Sequence, residues 1–131
     1  MHILAFPLFE WLHGDDEPKT LESRNKLAAS HLAAGRTSEA IPLYERTLTD
    51  CNWALGADHP NTLRSRNNLA MSYLAAGRKA QAIRLLERTL ADCERVLGAD
   101  HSDTVTSRNN LAMAYRAADR TAKAVLMERG A

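Results

Sequence analysis

Excess charge of either sign is missing from this sequence: 17 Lys and Arg against 16 Asp and Glu leave a formal charge of +1 over 131 residues. With no long like-charge run, the footprint of a general phosphate binder is absent and nucleic acid is not an expected partner. Aromatic residues make up only 5% of a chain that is 45% hydrophobic, and the balance toward Ala and Leu favours helix over strand. Long apolar runs are also lacking. The opening stretch from Ile3 to Leu12 is interrupted by Glu10 and falls well short of the roughly 20 residues that span a bilayer. It has neither a basic leading region nor an A-x-A cleavage site, so it does not read as a signal peptide, and a cytoplasmic protein without a membrane partner is expected.

The chemistry-bearing motifs are missing too. There is no HExxH, no glycine-rich phosphate loop and no nucleophile elbow, so neither an enzyme nor a bound cofactor is expected. The two cysteines, Cys51 and Cys93, have no CxxC spacing. They occupy the same position of successive repeats, which sets them too far apart for a bridge needing Cα atoms within about 7 Å. They read as small buried hydrophobes.

What is present is repetition. Laid without gaps over Gly56 to Leu97, the stretch Gly14 to Leu55 matches at 26 of 42 positions, where ordinary residue usage gives about two or three. A third copy opens at Gly98-Ala99-Asp100-His101, runs through Ser107 to Ala112 and stops partway. The chain divides into a partial leading unit over 1–14, repeats over 15–56 and 57–98, and an incomplete repeat over 99–131. A period between 20 and 50 residues marks a solenoid, in which each unit buries its apolar face only against its neighbours.

Each copy carries signals for two helices, A and B. Pro18 and Pro60 stand where a first helical turn tolerates a residue without an N–H. Leu63, Leu69, Ala70, Tyr73 and Leu74 then line one stripe of helix A, and Gly77, like Gly35, ends it. Ala82, Ile83, Leu85, Leu86, Leu90, Cys93 and Leu97 form the wider apolar face of helix B, closed by Gly98 as Gly56 closes the copy before. Pro42 lies near the first turn of its helix B, where it is tolerated. The pattern predicts six or seven helices in antiparallel pairs, an all-α right-handed superhelix. Complete pairs run from about Lys19 to Leu55 and from about Asn61 to Leu97. Leu4 to Leu12 stands in for a preceding helix B, and Ala122 to Arg129 is a shortened one.

The set Asn67, Asn68, Leu69, Ala70, Tyr73, Gly77, Ala82 and Leu86 resembles the tetratricopeptide consensus. The long helix B and the loop Leu55-Gly56-Ala57-Asp58-His59-Pro60 are similar to the 42-residue form found in kinesin light chains and in bacterial signalling proteins. The sequence departs from that pattern at Arg24, Arg66 and Arg108, where a large apolar residue is usual, and at His31, where an aromatic is usual. Ser102 replaces proline and Asp119 replaces glycine in the third copy.

The resemblance implies that the A helices line a concave groove which holds protein partners. Asn25, Asn67 and Asn109 then face the groove, with Glu22, Arg64 and Thr106 a turn earlier, Ala29, Met71 and Met113 a turn later, and Lys26, Asn68 and Asn110 beside them. Such asparagines contact bound peptide in this family, and an amide supplies both a donor and an acceptor to an extended backbone. Met71 and Met113 offer an adaptable apolar floor. Arg64, Lys26 and Arg116 tilt the groove positive while Glu45, Asp50, Glu87 and Asp92 fall on helix B, which favours an acidic peptide. His59 and His101, each beside an aspartate, read as helix caps and not as zinc ligands, since one pair per loop cannot complete four-coordination. The second function class is a self-associating scaffold or spacer, in which two copies form a homodimer through the incomplete end repeats.

Overall fold

The computed structural model describes residues 18–119, together with 123 and 127–129. Among them are five α-helices and no strand: α1 (Pro18–Ala33), α2 (Thr37–Leu55), α3 (Pro60–Ala75), α4 (Lys79–Leu97) and α5 (Ser102–Ala117). The further helices expected over 4–12 and 122–129 lie wholly or mostly outside the described residues.

The starts of α3 and α5 are set by histidine. His59 has extended backbone (φ −66°, ψ 139°), and its Nδ1 accepts the N–H of Asn61 at 3.0 Å, with Pro60 in the first turn. His101 caps α5 in the same way through Asp103 N–H at 3.0 Å, so Ser102 in place of proline does not shift the start. The capping role is thus met by the imidazole itself, which takes an orphan donor of the first turn.

At the other end of α3, Gly77 adopts φ +82°. Its N–H donates to the Leu74 carbonyl at 3.0 Å and the Arg78 N–H donates to the Tyr73 carbonyl at 2.8 Å, the paired bonds of a Schellman turn. Asp119 holds the same left-handed position after α5, at φ +65°. Pro42 sits as the sixth residue of α2, deeper than the first turn. The helix runs through it, at the cost of one ladder hydrogen bond.

Each helix packs on the next, and α3 also touches α1 and α5, so A helices line one side of the stack. Leu69 and Tyr73 of α3 pack on Ala40, Ile41 and Tyr44 of α2. One repeat later, Leu111 and Tyr115 of α5 pack on Ile83, Leu86 and Leu90 of α4. Both cysteines are fully buried thiols outside any disulfide, as their register demanded. A ladder of small residues is buried with them: Ala28, Ala70 and Ala112, Thr62 and Thr104, Thr47 and Thr89, Ser65 and Ser107. These let the helix axes approach closely, and Thr89 returns its hydroxyl to the Leu85 carbonyl at 2.7 Å. The product is the expected right-handed superhelix of antiparallel helix pairs.

Candidate protein-binding groove

Between α1 and α3 lies an open depression of about 170 Å³. Glu22, Asn25, Lys26 and Ala29 form the α1 wall, and Asn61, Arg64 and Asn68 the α3 wall. These residues recur at three- and four-residue steps, so each wall is one face of its helix. All of them except Asn61 belong to the groove set or its flank as read from the sequence. Asn61 was not anticipated, because it stands in the first turn, one turn before the residues taken as groove-facing.

The asparagine ladder divides in two. Asn25 is half-buried and donates from Nδ2 to Ser65 Oγ at 3.0 Å, which ties α1 to α3. Asn67 is only 4% exposed, and its buried Oδ1 has no hydrogen-bond partner among the described residues. Asn25 still lines the depression, whereas Asn67 does not reach it. Asn68 and Lys26, one position on, reach the depression. In the third copy Asn109 is exposed and Asn110 half-buried, while Met113 is 51% exposed. Met71 packs against the core cluster of α4 and α5, so its apolar side chain serves the interior.

The positive tilt is smaller than the formal count. Arg64 Nε donates to Asp103 Oδ2 of α5 at 3.0 Å, and its Nη1 donates to Asn61 Oδ1 at 3.0 Å. Arg116 is paired with Glu128, which raises the guanidinium pKa and lowers that of the carboxyl. Lys26 has no acidic partner among the described residues.

The acids of helix B are committed to the scaffold. Asp50 accepts from Arg24 at 2.8 Å and Asp92 from Arg66 at 2.7 Å, the same pair one repeat apart. Arg66 is buried, and its second arm donates to the Ala57 carbonyl at 3.1 Å, fastening the inter-repeat loop. The Arg66 bond holds Asp92 below the usual carboxylate range. Arg95 adds a bridge to Asp58 of that loop at 2.9 Å and holds Asp58 low in turn. Glu45 and Glu87 accept the hydroxyls of Tyr73 and Tyr115. The arginines at 24 and 66, departures from the consensus, are therefore the partners of the helix B aspartates. The signal was an equal Arg-to-Asp spacing in two copies.

The tetratricopeptide repeat family profile matches residues 20–61, 62–103 and 104–131, the same 42-residue period phased later than the division at 15 and 57. A solved structure of nearly identical TPR-like repeats from Podosopora anserina, assigned to kinesin light chain, is similar over 88% of this chain at 32% identity and a TM-score of 0.76. A variant of that protein agrees, at 32% identity and a TM-score of 0.77. BtubC (BKLC) from P. vanneervenii shares the fold over 88% of this chain at 22% identity and a TM-score of 0.76. The chain spans 55% of the Podosopora anserina structures and 47% of BtubC. Among curated proteins none matches. No helix among the described residues is long and apolar enough to cross a membrane. With its consecutive helix pairs and all three repeats matched, this chain belongs to the tetratricopeptide repeat family, in the form shared with kinesin light chains.

Proposed function

We propose that this protein-interaction module holds an extended segment of a partner polypeptide along its A helices, with an acidic side chain at the α1–α3 depression, and that it catalyses no reaction. The observation that carries the reading is Lys26. Its ammonium lines the depression without an acidic partner among the described residues. Around it the Asn61 and Asn68 amides supply donors and acceptors suited to a peptide backbone. Glu22 stands on the same wall, so the site accommodates one carboxylate and repels a cluster of them.

Two probe peptides of ten residues, identical except for a central Glu or Gln, test the reading by fluorescence anisotropy. The Glu peptide is expected to bind about tenfold tighter, equivalent to about 1.4 kcal/mol, and Lys26→Glu is expected to abolish that difference. Asn68→Ala should weaken both peptides alike by about 1 kcal/mol. Equal binding of the two peptides, or a preference untouched by Lys26→Glu, overturns the acidic reading; no binding of either overturns the groove.

A further inference from the structure

Leu27 of α1 is 52% exposed, whereas its repeat equivalents Leu69 and Leu111 are 4% and 2% exposed. The contrast extends along one stripe of the helix. Ser23 and Ser30 are exposed, while Ser65, Ser72, Ser107 and Ala114 at the equivalent positions are fully or almost fully buried. In α3 and α5 this stripe faces the helix B of the preceding repeat. Cys51 Sγ lies 3.6 Å from Ser65 Oγ, Thr104 donates to the Cys93 carbonyl, and Tyr73 and Tyr115 reach back to Glu45 and Glu87. The α1 stripe is therefore a stacking face built for a helix B.

We infer that this face is covered by residues 3–12 of the same chain, docked in repeat register as a leading helix B. One and two repeats on from Ala5, Phe6 and Phe9 stand Thr47, Leu48 and Cys51, then Thr89, Leu90 and Cys93. Thr47, Thr89, Cys51 and Cys93 are fully buried and Leu90 nearly so. The segment thus places Ala5, Phe6 and Phe9 at positions that α2 and α4 bury wholly or in part.

Three substitutions in the segment agree with that placement. Ile3 takes the position of Glu45 and Glu87 where α1 has His31 in place of the tyrosine, so acid and hydroxyl are lost together. Leu8 takes the position of Asp50 and Asp92, which serve the arginine of their own repeat; the segment carries no acid needing that partner. Glu10 takes the position of Glu94, which meets Arg108 of the following helix A at 3.6 Å, so Glu10 is set opposite Arg24. Nothing in this inference depends on the peptide groove.

Amide hydrogen exchange on the full chain tests it. Residues 4–12 should exchange at least about tenfold more slowly than a free peptide, in a species that sediments as a monomer. Leu27→Glu on the face and Phe9→Asp on the segment should each return those amides to free-peptide rates, with protection of α3 and α4 unchanged. Because Leu27 is half exposed, Leu27→Glu keeps the fold, and the protection of α3 and α4 reports the fold of both variants. Combining Ile3→Glu with His31→Tyr rebuilds the Tyr–Glu pair, so the double variant should be more protected than either single one. Free-peptide rates in the native chain, or protection that survives both Leu27→Glu and Phe9→Asp, overturn the inference. Protection that rises with protein concentration alongside a dimer mass also overturns it and assigns the face to a second copy.

Discussion

The Tyr73 hydroxyl donates to Glu45 Oε2 at 2.8 Å, joining helix A of one repeat to helix B of the repeat before it, and Tyr115 makes the same bond to Glu87. Burial, then the Glu45 hydrogen bond, pushes the Tyr73 pKa up to about 12 from 10.0. A group whose folded pKa is raised stabilises fully below its unfolded value and loses that contribution as pH climbs to the folded one. Stability is therefore expected to fall between pH 10 and 12. Tyr73→Phe should cost about 1 kcal/mol at neutral pH and flatten that alkaline limb, as read by urea unfolding at several pH values.

The Arg66–Asp92 pair gives an opposite pH signature. Arg66 is buried, and its hydrogen bond is the first cause of the lowered Asp92 pKa. A depressed carboxylate stabilises above its unfolded pKa and loses that contribution as pH falls through the folded one. Asp92→Asn should thus weaken the acid dependence of stability. Asp92→Ala leaves a buried guanidinium with the Ala57 carbonyl as partner, and should cost about 2 to 3 kcal/mol, somewhat under the range for fully buried pairs. Replacing both residues by Met and Leu should recover most of the loss, a result that chemical denaturation of the three variants would show.

Much of this arrangement was legible in the sequence, for a physical reason. Apolar periodicity and glycine positions report which face of a helix is buried, and Leu69, Tyr73, Ile83, Leu86 and Cys93 all lie in the core as read. Side-chain pairing across helices leaves no such periodic trace. Asn67 and Asn68 look alike in sequence, yet a rotation of one residue buries Asn67 and brings Asn68 to the depression. Arg64 looks like a free groove cation until Asp103, a whole repeat away in sequence, is found beside it. The buried Thr and Ser ladder was missed because polar residues were not counted as core, although their small size is what lets the A and B helices approach.

The turns after α3 and α5 form a natural comparison. Gly77 at φ +82° has nothing within 4 Å of where a Cβ would stand, so Gly77→Ala should cost about 1 kcal/mol from backbone conformation alone. Asp119 already bears that cost at φ +65°, and Asp119→Gly should raise stability by up to about 1 kcal/mol. Thermal unfolding of the two variants should move the midpoint in opposite directions.

Asp103 pairs with an arginine that lines the depression. It holds Arg64 Nε at 3.0 Å from α5, and the Arg64 side chain is about half exposed while that of Asp103 is 18% exposed. An exposed pair of this kind contributes less than about 1 kcal/mol to stability, so Asp103→Asn should leave the helix content and unfolding midpoint nearly unchanged. Its effect on binding should be larger, because a released Arg64 joins Lys26 across the same depression. Affinity for the Glu-bearing probe peptide is then expected to rise several-fold, mainly through faster association, and to become more sensitive to salt. The Gln-bearing peptide should gain little. Stopped-flow association rates at low and high salt decide the matter: if Asp103→Asn leaves the Glu peptide's rate and salt slope unchanged, Arg64 does not face the ligand and the acidic side chain is read by Lys26 alone.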